Sequence, residues 1–226
     1  MWTIQEMKER GRAAFKANYW PSVLTALLMG LFAGVVGASA RSGNASTTEL
    51  ENAIQSGDKT LITALFATVV VMGIIGLLVK IFLANPIELG GVAFFTENTE
   101  AGPVPFGTVK KGFHNYGHNF VVLFVRDLYL ALWLLLLVVP GIIKIYSYRM
   151  VPYILMEHPE LSTKEVITRS RSMMNGHKWQ AFKLDLSFIG WILLGVLTVG
   201  LVNIFWTNPY MESAQAALYL KLRDKA

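Results

Sequence analysis

HNFVVLFVRDLYLALWLLLLVVPGIIKIYSYRMVPYILM, residues 118–156, is the stretch that decides how this chain folds. Its first part, 118–139, reaches the roughly 20 mostly apolar residues that a helix needs to cross a bilayer. The run is too long for a strand and lacks period-two alternation. Arg126 and Asp127 stand side by side within it, Pro140-Gly141 breaks it, and Arg149 lies beyond. A charged side chain at the bilayer centre costs at least ~2.5 kcal/mol, so such residues have a partner or a task.

The rest of the chain has the same character. Of the 226 residues, 54% are hydrophobic and 15% charged, against about 25% charged in an ordinary soluble domain. There is no cysteine, which excludes disulfides, thiolate nucleophiles and Cys-ligated zinc or iron–sulfur sites. The net charge of +5 is not gathered into one basic patch. It punctuates the apolar runs, which is a topology signal, and no nucleic-acid partner is expected.

Six runs read as spanning helices: 20–40, 61–84, 118–139, 142–157, 179–198 and 201–222. The fold class is therefore all-α, one polytopic membrane helical bundle over 1–226. Pro140-Gly141 and Val199-Gly200 are predicted as tight turns between antiparallel helices. The segment 41–59, rich in Ser, Thr, Asn and Gly, is predicted as a flexible external loop. Ala38-Ser39-Ala40 resembles a signal-peptidase site, but its polar lead is itself amphipathic, and the segment is kept as a span.

An inside N-terminus puts Lys8, Arg10, Arg12, Lys16, Lys110, Lys111, Lys164, Arg169, Arg171, Lys178, Lys221, Arg223 and Lys225 on the cytoplasmic side. Only Arg41 and Lys59 fall outside, with Glu49, Glu51 and Asp58. Thirteen against two is a strong positive-inside asymmetry. It predicts both termini in the cytoplasm.

Each odd-numbered span follows a basic lead of similar grammar: RAAFKANYW at 12–20, KGFHNYGHNF at 111–120 and RSMMNGHKW at 171–179. Each lead precedes a hairpin whose second helix contains or ends in a proline, Pro86, Pro152 or Pro209. Asn85-Pro86 matches Asn208-Pro209, and Pro152-Tyr153 matches Pro209-Tyr210. The pattern predicts three units, 1–97, 103–157 and 162–224, each a cytoplasmic interfacial amphipathic helix followed by a hairpin. Any polytopic protein also alternates basic leads with apolar runs, and that simpler reading stays open. Arg126 lies six residues past Phe120, and Asp185 six past Trp179, so both sit roughly 10 Å along their helices. They are predicted as an intramembrane ion pair, with Arg149 and Glu212 next to join. The intramembrane polar cluster is thus Arg126, Asp127, Arg149, Asp185 and Glu212.

That cluster could form a solute or proton path, but a structural salt bridge fixing helix register is the simpler reading. Lys80, Lys144 and Lys183 lie near span ends and can snorkel, which asks no special role of them. His114 and His118 have the i, i+4 spacing of a metal pair, yet Gly117 intervenes and no carboxylate pattern follows. They read as interfacial histidines, and neither metal nor cofactor is expected. Gly30, Gly34 and Gly37 form a small-residue stripe suited to close helix packing. No phosphate loop, GxSxG elbow or nucleophile–base constellation is present, so an enzyme is not expected, nor an ATP-driven pump in this chain alone.

Residues 161–219 carry a resemblance. The motifs are 170–178, FKLDLSFIGW at 182–191, Leu197-Thr198, Asn208-Pro209-Tyr210 and Ala217-Leu218-Tyr219. Upstream, Asn18-Tyr19-Trp20, PGII at 140–143 and Tyr146-Ser147-Tyr148 belong with them. The chain resembles a bacterial membrane family catalogued as domain of unknown function 975. It is distantly similar to the membrane domain attached to some glycerophosphodiester phosphodiesterases. That likeness implies association with lipid or envelope processes, not catalysis, because the phosphodiesterase domain is absent. Expected partners are membrane lipids, including anionic headgroups on the basic leads, with a protein partner or a homo-oligomer also open. Two functions remain: a non-catalytic membrane module (scaffold, partner subunit or lipid- or envelope-associated protein), or a small transporter or exporter with a charged intramembrane cavity.

Overall fold

The computed structural model describes residues 2–56 and 59–224, with backbone alone for 33–50, 53 and 138. Among the described residues there are helices and turns and no strand. The order is α1 (Ile4–Ala17), α2 (Tyr19–Ser56), α3 (Lys59–Val79), a π turn (Lys80–Ala84) and α4 (Asn85–Glu100). A 3-10 helix (Phe106–Phe113), α5 (Tyr116–Leu136), α6 (Val138–Ser147) and α7 (Val151–Glu157) follow. Then come α8 (Thr163–Met173), α9 (Lys178–Leu186), α10 (Ile189–Leu197), a second π turn (Asn203–Thr207) and α11 (Asn208–Arg223).

Apolar side chains divide these helices into two populations. Along α3, the later part of α5, α6 and α10 they face outward: Phe66, Leu78, Leu135, Leu193 and Leu197 are all exposed. An outward apolar surface of this extent is far beyond what a soluble monomer carries. Three helical stretches, Lys59–Glu100, Tyr116–Leu136 and Lys178–Leu197, are long and apolar enough to cross a membrane, and Tyr19–Phe32 is a shorter apolar helix. These features point to a membrane protein.

The buried side chains gather at the other end, around α4, α7 and α11. Each of these helices begins with a proline in its first turn, where the missing N–H costs nothing and the fixed φ already suits a helix. Phe94, Phe95, Ile154, Leu155, Leu218 and Leu220 fill the space between them. Tyr153 stacks on Tyr219 at 4.9 Å. Arg223 on α11 closes the bundle by donating to Glu100 of α4 at 2.7 Å and to Glu157 of α7. The hydrogen bonds to Glu100 and Glu157 push the Arg223 pKa further up. Amphipathic α1 lies along α11, with Met7, Gly11 and Phe15 buried. Thr3–Glu6 and Ser162–Glu165 form capping boxes at the starts of α1 and α8, satisfying amides that the first helical turn leaves open.

Several expectations are corrected. The segment 41–59 is not a loop up to Ser56, because α2 continues through it. Up to Ser56 it holds one glycine, Gly43, and no proline, while Ala45, Leu50, Glu51 and Gln55 favour a helix. The fourth span, 142–157, is two helices separated by a turn at residues 148–150. The break before it falls at Leu137, whose backbone is extended, and Pro140-Gly141 sits inside α6. Proline in a first helical turn starts a helix as readily as it ends one. The lead 111–120 is not an amphipathic α-helix: the 3-10 helix ends at Phe113, and Asn115 takes a left-handed φ of 51° before α5. That same turn takes His114 and His118 off one helical face. Val199 and Gly200 do form a left-handed turn, at φ 53° and 87°.

Candidate functional site

Pro86 and Pro209 each leave a carbonyl upstream without its usual N–H donor, and the chain supplies a tyrosine there. Tyr19 Oη donates to the Phe205 carbonyl at 3.1 Å, four residues before Pro209. Tyr116 Oη donates to the Ile81 carbonyl at 2.7 Å, five residues before Pro86. Five is the π-turn spacing, and both prolines follow π turns, closed by Asn85 N–H to Lys80 O and by Asn208 N–H to Asn203 O. Both tyrosines come from Asn-Tyr pairs in the leads, Asn18-Tyr19 and Asn115-Tyr116. Tyr19→Phe and Tyr116→Phe should each lower stability by about 1 kcal/mol, read as the unfolding midpoint of detergent-purified protein.

The first π turn and the residue that follows the second, Asn208, open onto a cavity of about 410 Å³ between helices. Ala26, Met29 and Gly30 of α2 line one side. Lys80 and Ala84 of the first π turn, Asn85 and Glu88 of α4, Arg126 and Asp127 of α5, and Asn208 and Glu212 of α11 complete it. Arg126 Nη1 meets Glu88 Oε1 at 2.7 Å and its Nε meets Asp127 Oδ1 at 2.9 Å. Lys80 Nζ then meets Asp127 Oδ2 at 2.5 Å. Charges therefore alternate in a chain, Glu88–Arg126–Asp127–Lys80, each cation beside an anion. Glu212 faces the cavity and makes no hydrogen bond or ion pair among the described residues.

The predicted Arg126–Asp185 pair is overturned. Asp185 instead takes Arg149, whose Nη1 and Nη2 reach its two oxygens at 2.9 and 2.7 Å. Tyr146 Oη adds a third donor at 3.0 Å. Depth along a helix fixes height, not the direction a side chain faces, and Arg126 faces α4. Of the predicted cluster, Arg126, Asp127 and Glu212 line the cavity, and Arg149 and Asp185 form a separate pair. Lys80, read as merely snorkelling, belongs to the cavity. Glu88 was missed, although it follows Asn85-Pro86 much as Glu212 follows Asn208-Pro209, and that match would have found it. Gly30 opens onto the cavity, while Gly34 and Gly37 lie outside the described side chains. Among the described residues no group of three or more His, Asp or Glu is placed to hold a metal ion.

A family model described as a protein of unknown function (DUF975) matches residues 15–226. The chain belongs to the DUF975 family. Every cavity-lining residue of this DUF975 member falls within the matched region, and most of α1 precedes it. No curated protein and no solved structure matches the chain.

Proposed function

We propose that this chain is an integral membrane protein that binds a small polar solute in the charged cavity and passes it across the bilayer. The observation that carries the reading is the cavity itself. About 410 Å³ lined by Lys80, Glu88, Arg126, Asp127 and Glu212 stands among helices apolar enough for lipid. Ionisable residues in such a setting mark solute and ion pathways, and π turns recur at functional sites. Six spans, arranged as three hairpins with both termini in the cytoplasm, are part of the proposal. So are the three repeated units and the bacterial cytoplasmic membrane. The two Tyr-to-carbonyl bonds support the repeat: the lead of unit one serves the proline helix of unit three, and the lead of unit two serves that of unit one.

The non-catalytic module is the second reading. It is favoured by Arg149–Asp185, which ties the turn after α6 to α9 and lies outside the cavity lining. Light-scattering of osmotically shocked proteoliposomes separates the two, using glycerol, acetate, ethanolamine and glycine as test solutes. At least one solute should move several-fold faster than through empty vesicles. Gly30→Trp should abolish the excess, because a Cβ added at Gly30 meets no atom within 4 Å and the indole beyond it would fill the cavity. Rates equal to empty vesicles for all four solutes would remove the transport reading and leave the module.

A further inference from the structure

The charge balance within the cavity points to the class of ligand. Glu88 and Asp127 are matched against Arg126 and Lys80. Glu212 is left over, so the lining carries one carboxyl group more than it has cations. Arg149 is the cation whose field reaches Glu212, but both its Nη atoms are committed to Asp185. Two further polar side chains line the same space, Asn85 and Asn208. They occupy matching positions, each directly after a π turn and before a proline. Neither side chain has a hydrogen-bond partner among the described residues. Each amide presents a carbonyl oxygen that accepts hydrogen bonds. The remaining lining, Ala26, Met29, Gly30 and Ala84, is apolar or bare.

We infer that the cavity binds a primary ammonium group, with the Glu212 carboxylate as its counter-ion and the side-chain carbonyls of Asn85 and Asn208 as further acceptors. A primary ammonium carries one positive charge and three N–H donors. The cavity offers one surplus carboxyl group, which a bound ammonium would hold ionised, and three side chains with uncommitted acceptors. An anion would have to displace Glu88 or Asp127 from the cations that hold them. A quaternary ammonium supplies the charge but leaves the acceptors unmet. A volume of about 410 Å³ is many times the ~30 Å³ share of one water, room enough for an amine of metabolite size. A phospholipid headgroup bearing the same amine is the other source of this chemistry. The inference rests on the cavity being open to ligand, but not on transport.

Thermal unfolding followed by tryptophan fluorescence tests it on the full chain in detergent. The soluble probes are ethanolamine, tetramethylammonium chloride and sodium acetate at equal ionic strength. The lipid probes are mixed micelles containing phosphatidylethanolamine or phosphatidylcholine. Ethanolamine should raise the Tm by about 3 °C, and tetramethylammonium and acetate should not. A shift with phosphatidylethanolamine but not free ethanolamine identifies the headgroup as the source and upholds the ammonium assignment. Glu212→Gln keeps the side-chain shape and should abolish the shift. If that variant does not fold, Asn85→Ala and Asn208→Ala should each weaken it at least several-fold. The inference is overturned by a shift with acetate alone, by equal shifts with ethanolamine and tetramethylammonium, by a shift that survives Glu212→Gln, or by no shift with any amine. Acetate flux with no amine shift would sink this inference and leave transport standing. An amine shift lost in Glu212→Gln, with no flux of any solute, would do the reverse.

Discussion

Asp185→Ala lowers the stability of the folded protein by about 3–5 kcal/mol, the cost of leaving a buried charge without its partner. Arg149 is only 13% exposed and its guanidinium donates to Asp185 alone. What remains in the variant is the face of Tyr146, 5.4 Å away, and the more distant Glu212, neither of which replaces a hydrogen-bonded carboxylate. Arg149→Ala should cost less, because Asp185 is 29% exposed and keeps the Tyr146 hydroxyl. The double variant should cost less than the sum, since removing both charges leaves neither stranded. The pair itself has a modest net worth, about 1 kcal/mol for polar contacts between membrane helices. The measurement is a double-mutant cycle by denaturant unfolding in mixed micelles. A cycle pairing Arg126→Ala with Asp185→Ala should show clearly smaller coupling, because each residue has its own partners. Strong Arg126–Asp185 coupling with none between Arg149 and Asp185 would contradict the geometry described above.

That contrast marks how far the sequence could be read. Apolar run length and the absence of alternation were enough to place the chain among all-helical, membrane-suited folds. The unusual charges within those runs were visible too. Their pairing was not, because counting residues from Phe120 and Trp179 compares depth, while partners are set by rotation about each helix axis. At about 100° per residue, two side chains at equal depth need not face each other. The Ser- and Thr-rich segment after Arg41 was misread for a related reason: polarity predicts exposure to water, not loss of helix. The π turns had no composition signal of their own. They follow from Asn-Pro, since a proline already removes one helical hydrogen bond and lets the preceding turn widen. A tyrosine hydroxyl from another helix then satisfies the freed carbonyl, a long-range contact that no local pattern announces. Glu88 was recoverable in principle, because aligning the matched Asn-Pro pairs sets it within one residue of the Glu212 position.

Gly90→Ala and Gly112→Ala should each destabilise the protein by about 3 kcal/mol, the upper part of the usual range for overpacking. The 3-10 helix crosses α4 at these two glycines. A Cβ at Gly90 would overlap the carbonyl of Val109, and one at Gly112 would overlap the Pro86 carbonyl and the Gly90 backbone. A clash with a flexible side chain is relieved by a change of rotamer. Backbone on both sides leaves only separation of the two helices, which would pull Val109 from the core it shares with Leu89 and Phe94. The same movement would shift Pro86 and the start of α4, and with them Asn85 and Glu88 at the cavity. The glycine variants are therefore expected to lose solute flux as well as stability. Gly107→Ala is the internal control: it lies in the same 3-10 helix and its added Cβ meets nothing within 4 Å, so stability and flux should stay near wild type. Equal loss in all three variants would mean that helix composition, not the crossing, sets the cost. A selective loss at Gly90 and Gly112 would locate it in the close approach that holds the cavity wall against the packed end of the bundle.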